Sequence, residues 1–361
     1  MASNMVTGES AFPLHEAVGA VHLHSNFSDG SLPIEEIAAI ASRKKINFLL
    51  FSDHNTLEPR RLGLEGWKED VLVLIGCEIN DADDRNHYLA FLIDREIDPK
   101  MSAEEYVAHI WSMGGFGIIA HPAEKRNFSD AYPPYPWTAW NAKGFDGIEI
   151  WNQLSEWMEG LTRLNMLWRI WHPLRSIRFP VWETLQRWDQ LNRERRITGI
   201  GGIDVHAFPF RIGFISIEIY PYKVQFRSIR THVLTSRPLI NERGEKLPWR
   251  EAESVVFEAL KQGRCFVVNY SVGDGRGFRF WGEQNNRVYQ MGDRWCSKGT
   301  ITFRAVTPLT GKIHLLRDGK RVCRAKGKEL VCSGDQPGVY RVEVFRKNRG
   351  WIYSNPMVWM Q

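Results

Sequence analysis

Over its first 205 residues the chain alternates short apolar runs with amphipathic stretches, and this alternation limits the folds open to it. "AVHLHS" is followed by "PIEEIAAIASRKKI", where Pro33 suits a first helical turn and the apolar positions recur at helical spacing. "NFLLFSDH", "VLVLIGCEIN" and "HYLAFLID" come next, then a helical "SAEEYVAHIWSMGG", then "FGIIAHP", "DGIEIWN" and "ITGIGGIDVH". Short apolar strands broken by helices predict a mostly parallel α/β arrangement, with enough units for a barrel.

Residues 153–196 interrupt the pattern with two amphipathic helical stretches. They carry Trp157, Trp168, Trp171, Trp182 and Trp188, a third of the 15 tryptophans of the chain. Core packing and a lid over a site are the two uses such a cluster has. A further helix, "AESVVFEALKQGRC", closes the first domain, placed at 1–275. From 276 to 361 the pattern becomes short strands with Gly-rich turns, and Asp318-Gly319 between alternating runs is a hairpin signal. This second part reads as a β-sandwich with no catalytic cluster.

No run reaches the ~18 apolar residues of a membrane helix, and the N-terminus lacks the basic start and apolar stretch of a signal peptide. A cytoplasmic protein with no membrane partner is the expectation. The five cysteines form no CxxC pair, which argues against a disulfide framework or a zinc knuckle. Net charge is +5. The stretch 311–349 holds 11 Lys/Arg against 4 Asp/Glu, a solvated basic face or a surface for an anionic partner.

The chemistry collects at the strand ends. In "AVHLHS" the period-2 alternation puts His22 and His24 on one face, with Asp29 a few residues on. "LLFSDH" ends on Asp53-His54, "LIGCEIN" on Glu78, "IIAHPAE" on His121, and "GGIDVHAF" on Asp204 and His206. In a parallel barrel the carboxyl ends of the strands share one rim, where these side chains would converge. Five histidines, Glu78 and the aspartates Asp29 and Asp204 form a nitrogen and oxygen donor set without sulfur, suited to Mn, Fe or Zn at a hydrolytic site.

His22-x-His24, Asp29, "SDH", "GCE", "AHP" and "IDVH" together resemble the ordered motifs of the PHP (polymerase and histidinol phosphatase) superfamily over most of residues 19–210. "EIWNQLSEWMEG", "TLQRWDQL" and the ending "GVYRVEV…SNP" further resemble its carbaryl-hydrolase-like branch. The resemblance implies a distorted (β/α)7 barrel holding two or three divalent transition-metal ions. It also implies a ligand set: His22, His24, Glu78 and Asp204 for one ion, Asp29, His54 and His206 for another, and Glu78 bridging to an ion that also takes His121. Some family members supply one more histidine between Glu78 and His121. His87, at the start of a strand, and His109, in a helix, are the local candidates. Glu149 and Asp53 are candidates for outer roles, Asp53 by orienting an imidazole.

Clustered divalent ions acidify water and neutralise charge developing on an ester. Asp204 and His87 are the expected catalytic residues, the histidine as proton donor to the leaving group. A phosphate ester also needs nearby cations, and Lys125, Arg126 and Arg211 follow the motifs closely. The expected function is a metal-dependent phosphoesterase acting on a small anionic compound or nucleotide. The alternatives are a carbamate or amide hydrolase, with the tryptophans lining an apolar pocket, and a nucleic-acid-processing exonuclease, which the sequence favours less. Oligomeric state is not legible in the sequence.

Overall fold

The computed structural model describes residues 14–126, 128, 133–207, 209–212, 215–218 and 220–360, with strands 209–212 and 215–218 described by backbone alone. Strand β1 (His15–Leu23) pairs in parallel with β2 (Phe48–Phe51), and β2 in parallel with β3 (Val71–Ile75). Between β1 and β2 runs α1 (Ile34–Arg43), which buries Ile34, Ile37, Ala38 and Ala41. That i, i+3, i+4, i+7 stripe faces the sheet and leaves the charged residues outside.

A second sheet takes β4 (Cys77–Ile79), β5 (Tyr88–Phe91), β6 (Phe116–Ile119), β7 (Gly147–Asn152) and β8 (Thr198–Gly202) in chain order. Pairs β6–β7 and β7–β8 are parallel, whereas β4–β5 and β5–β6 are antiparallel. The expected mostly parallel arrangement is therefore corrected to a mixed one. Only residues 80–87 separate β4 from β5, too few for the dozen or so that a parallel crossover needs. Helix α2 (Ala103–Ser112) precedes β6 and opens on a complete capping box between Ser102 and Glu105.

The insertion between β7 and β8 contains α3 (Gln153–Glu159), α4 (Met166–Trp171) and α5 (Trp182–Glu194). Its tryptophans divide: Trp157 and Trp188 are core residues, while Trp168, Trp171 and Trp182 are exposed. After it, β9 (Ile229–Thr235) lies antiparallel to β1, and β10 (Cys265–Asn269) antiparallel to β9, with α6 (Trp249–Lys261) between them. The two sheets share an interior. Val21, Leu50 and Leu74 of one pack in the same cluster as Leu89, Ile118 and Ile200 of the other. Bridges Leu23–Val205 and His54–Glu78 join them at the strand ends that carry the polar motifs.

The C-terminal region is rich in sheet: β11 (Ile301–Arg317), β12 (Lys320–Gly334), β13 (Gly338–Arg346) and β14 (Arg349–Ser354). Asp318 and Gly319 form the two-residue β11–β12 turn with positive φ at both positions, the mirror-image geometry that matches strand twist. Strand β14 pairs with β10, so one sheet runs from β3 through β1 and β10 into the C-terminal strands. Just past β14, the Asn355 side chain accepts from Gly199 N at 2.8 Å and donates to Gly199 O at 2.8 Å and Cys265 O at 3.0 Å. The last residues of the chain thereby fasten β8 to β10.

Candidate metal centre

The strand-end residues converge. Glu78, at 1% exposure, stands at the centre: Oε2 lies 3.0 Å from His22 Nε2, 3.2 Å from His24 Nε2 and 3.6 Å from His54 Nδ1. Its Oε1 lies 2.8 Å from His87 Nδ1 and 3.3 Å from His121 Nε2. Asp204 Oδ1 is 3.6 Å from His22 Nε2 and from His24 Nε2, and 3.5 Å from His206 Nδ1. Asp29 Oδ2 is 3.1 Å from His206 Nε2 and 3.8 Å from His54 Nε2. All eight residues expected as ligands, and His87, thus meet in one place.

Donor atoms close enough to share an ion fall into four overlapping groups: His24, Asp29, His54 and His206; His22, His121 and Asp204; His22, His24 and Glu78; and His54, Glu78 and His87. The grouping differs from the expected set: His24 also sits with Asp29, His54 and His206, His121 sits with His22 and Asp204, and Glu78 also sits with His54 and His87. The sharpest sign of an ion-shaped site is the buried imidazole nitrogens. Both nitrogens of His24, His87 Nε2 and His121 Nδ1 have no hydrogen-bond partner among the described residues. Glu78 Oε2 is near His24 Nε2, yet the pair does not meet hydrogen-bond geometry. A buried nitrogen without a partner costs on the order of 1–3 kcal/mol, and a divalent cation satisfies it. The residues present fit a cluster of such ions.

The backbone points the same way. His22, His121 and Asp204, one complete donor group, all adopt positive φ (65°, 25° and 58°). Left-handed conformations are costly for non-glycine residues, and they collect where a site aims side chains away from regular pleat. Behind them, Glu149 Oε1 meets His22 Nδ1 at 2.9 Å, and Oε2 accepts from His121 N at 2.8 Å and Asn152 Nδ2 at 2.9 Å. Gly202 makes room for this carboxylate, since a Cβ there would lie 1.5 Å from Glu149 Oε1. Glu149 thus stands behind His22 and leaves its Nε2 facing Glu78 and Asp204, the place an outer carboxylate would take. Asp53 does not orient an imidazole. It accepts from Ser25 N and Ser25 Oγ at 2.7 Å each and from Ser28 Oγ at 2.6 Å, which holds the turn that carries Asp29.

Electrostatics are dominated by mutual compensation. Burial disfavours an imidazolium at His22, yet Glu78, Glu149 and Asp204 raise its pKa well above 6.5. Against the same burial, Asp204 and Glu78 push His24 up to about 9, and Glu78 and Asp84 push His87 up to about 10. His54 goes the other way, to about 4, through burial and the positive charge on His24. Glu78 and Asp204 stay well below the usual carboxylate range despite burial, because imidazoles surround them. The carboxylates demand positive charge, and protons or metal ions satisfy that demand. The cluster opens to solvent at Asp29 (49% exposed side chain) and His54 (29%).

Two of the expected substrate cations, Lys125 and Arg126, make no contact with this cluster among the described residues. Lys125 is exposed and 3.4 Å from Glu183. Arg126 donates to Glu124 at 2.7 Å and covers the Tyr135 ring, which in turn stacks on His87 at 4.9 Å between centroids. Arg211 sits in the strand Pro209–Ile212, and its side chain lies outside the described residues. Sequence reasoning missed Asn152, whose Nδ2 also reaches Asp204 Oδ2 at 3.3 Å, and Tyr135. Asn152 was findable as the strand-end polar residue three after Glu149, whereas Tyr135 is brought in by a loop that no pattern announces.

No family model matches the chain, and no curated protein matches it. Solved structures similar to it include a two-domain protein from Bacteroides vulgatus containing a predicted PHP-like metal-dependent phosphoesterase, at 16% identity and TM-score 0.45, covering 96% of each chain. PsfC from Pseudomonas syringae aligns at 12% identity and TM-score 0.40, over 66% of this chain and 88% of its own. An amidohydrolase from Chromobacterium violaceum, with bound sulfate and no metal, aligns at 14% identity and TM-score 0.34, over 65% of this chain and 96% of its own.

Proposed function

We propose that the protein is a metal-dependent hydrolase of the PHP type, most concretely a phosphoesterase acting on a small phosphorylated compound or nucleotide. The observation that carries the reading is the convergence of nine donor residues on one buried cluster, whose histidines keep ring nitrogens without hydrogen-bond partners among the described residues. In this reading the two facing sheets form the distorted (β/α)7 barrel implied by the sequence motifs. His22, His24, Asp29, His54, Glu78, His121, Asp204 and His206 hold two or three ions, with Mn, Fe or Zn as the candidates. Bound there, the ions would supply Lewis acidity and charge neutralisation for ester hydrolysis.

The protein's own residues do the rest. Asp204, steadied by Asn152, holds and orients the attacking water through its carboxylate. His87, whose Nε2 is without a hydrogen-bond partner among the described residues, gives a proton to the leaving group. Substrate enters past Asp29 and His54, and Arg126, one ring beyond His87, is the cation among the described residues best placed to meet an anionic group. The carbamate reading needs an apolar pocket built from the insertion tryptophans. Trp157 and Trp188 are consumed by the core, and the other three face solvent, which leaves the phosphoester reading ahead.

Metal analysis of protein purified without chelator, paired with a panel of phosphomonoesters, phosphodiesters and aryl carbamates, tests this. At least two transition-metal ions per chain and turnover of a phosphoester are expected. Asp204→Asn should lower kcat by at least about 100-fold without unfolding the chain. Less than one ion per chain after loading with Mn, Fe or Zn would falsify the metal assignment. Cleavage of carbamates alone overturns the substrate class.

A further inference from the structure

Six of the eleven large hydrophobic residues exposed among the described residues fall within 164–182, in the insertion. Three of them, Leu167, Trp168 and Trp171, share one face of α4, and a fourth, Leu164, lies in the turn just before its N-cap Asn165. Backbone bonds from Met166 to Thr162, Arg169 to Asn165 and His172 to Trp168 extend helical pairing through 162–172 around α4. Leu164, Leu167, Trp168 and Trp171 follow at i, i+3, i+4 and i+7, exposed by 100, 68, 48 and 79%. The opposite side already packs on the core through Met166 and Ile170. The helix is thus apolar on both sides, and only one side is covered.

Charge says what kind of surface covers the other. Residues 160–182 contain no Asp or Glu and four arginines, of which Arg163, Arg175 and Arg178 are exposed. Arg349 joins them, donating to Leu174 O at 3.1 Å. The flanking acids are Glu159 and Glu183, the second of which is tied to Lys125. A second copy of the chain fits poorly, because a two-fold interface sets a patch against itself and would bring arginines onto arginines. Nucleic acid matches the charge, but leucines offer no plane for stacking bases. Hydrocarbon beneath a layer of negative headgroups matches both the leucines and the arginines, with tryptophan at the boundary.

We propose that segment 162–178 docks the protein on the surface of an anionic lipid bilayer, with Leu164, Leu167, Trp168 and Trp171 inserted at headgroup depth and the arginines over the lipid phosphates. Among the described residues no helix is long and apolar enough to cross a membrane. The sequence expectation of no membrane partner rested on that absence, and lying on a surface needs no spanning segment.

Co-sedimentation of the full chain with vesicles tests this, using phosphatidylcholine alone and phosphatidylcholine mixed with phosphatidylglycerol. The mixed vesicles should bind at least about tenfold more tightly. Binding should weaken as salt rises from ~0.1 to ~1 M and the screening length falls from ~10 to ~3 Å. Leu167→Asp with Trp171→Asp should cut affinity for mixed vesicles at least about tenfold. Arg163→Glu with Arg175→Glu should remove the preference for mixed vesicles. Both variants change exposed side chains, so metal content and far-UV circular dichroism should match the parent. Absence of binding to mixed vesicles at low salt overturns the proposal, as does unchanged binding by the aspartate variant. Sedimentation velocity showing a dimer that the aspartate variant dissociates, without vesicle binding, assigns the face to self-association instead.

Discussion

Glu149 shows how one side chain organises a site it does not enter. Its carboxylate takes His22 Nδ1 on one oxygen, and the His121 amide and Asn152 on the other. Two of the three donor residues with positive φ, His22 and His121, are thereby held from behind. Glu149→Gln should lower metal affinity about 10- to 100-fold, the usual cost of losing such an outer partner, with secondary structure unchanged. Chelator competition on the purified variant measures it, and parental affinity would reduce Glu149 to packing. At this scale the sequence was informative, because all the expected donors but Asp29 stand at or just past the end of an apolar run and the runs can be read. Arg126 and Lys125 were less legible. Proximity to His121 in sequence says nothing about direction, and both turned toward glutamates.

At the scale of elements, the insertion is tied to the C-terminal sheet by buried charge. Arg341 on β13 donates from Nε to Asp189 Oδ1 at 2.7 Å and from Nη2 to Oδ2 at 2.9 Å, and meets Glu343 Oε1 at 2.5 Å. Asp189 lies on α5, so this fork clamps α5 to the sheet. Arg341→Met leaves Asp189 and Glu343 buried without their partner and should cost about 3–5 kcal/mol in urea unfolding. Adding Asp189→Leu should recover part of that loss. If the single variant unfolds like the parent, the pair contributes nothing to the joint.

Glu156 of α3 sets a pH dependence in the same region. Burial pushes its carboxyl from 4.5 up to about 7, although the Trp151 indole and the Arg178 and Phe179 amides donate to it. Between those two values the folded protein holds a proton that the unfolded chain has released, so stability falls as pH rises from about 4.5 to 7 and then levels. Glu156→Gln removes this titration. The stability difference between parent and variant should therefore decline across that window and be constant above it, as urea titrations at several pH values would show. A pH-independent difference contradicts the assignment.

For the whole molecule, the joint near residue 275 matters most. The strand change there is audible in the sequence, and the stretch after it carries none of the donor residues. In space the boundary is crossed by hydrogen bonds. Strand β14 completes the sheet beyond β10, Asn355 fastens Gly199 to Cys265, and Leu234, Phe266 and Val268 share a core with Phe303 and Trp351. A chain ending at Gly275 should accordingly lose cooperative unfolding and most of its soluble yield, even though it keeps every donor residue. A soluble truncated protein that binds metal with parental affinity would show that the first 275 residues stand alone.

The sequence by itself marked the donor residues and placed them at one end of an α/β fold, because donor side chains at the ends of buried strands collect on one rim. Only the tertiary structure decided that β4, β5 and β6 run antiparallel, that three insertion tryptophans remain outside, and that the C-terminal strands extend the sheet of the first region. Local periodicity records which face of an element is apolar. It does not record which neighbour covers that face, and pairing direction and burial are settled between residues distant in the chain.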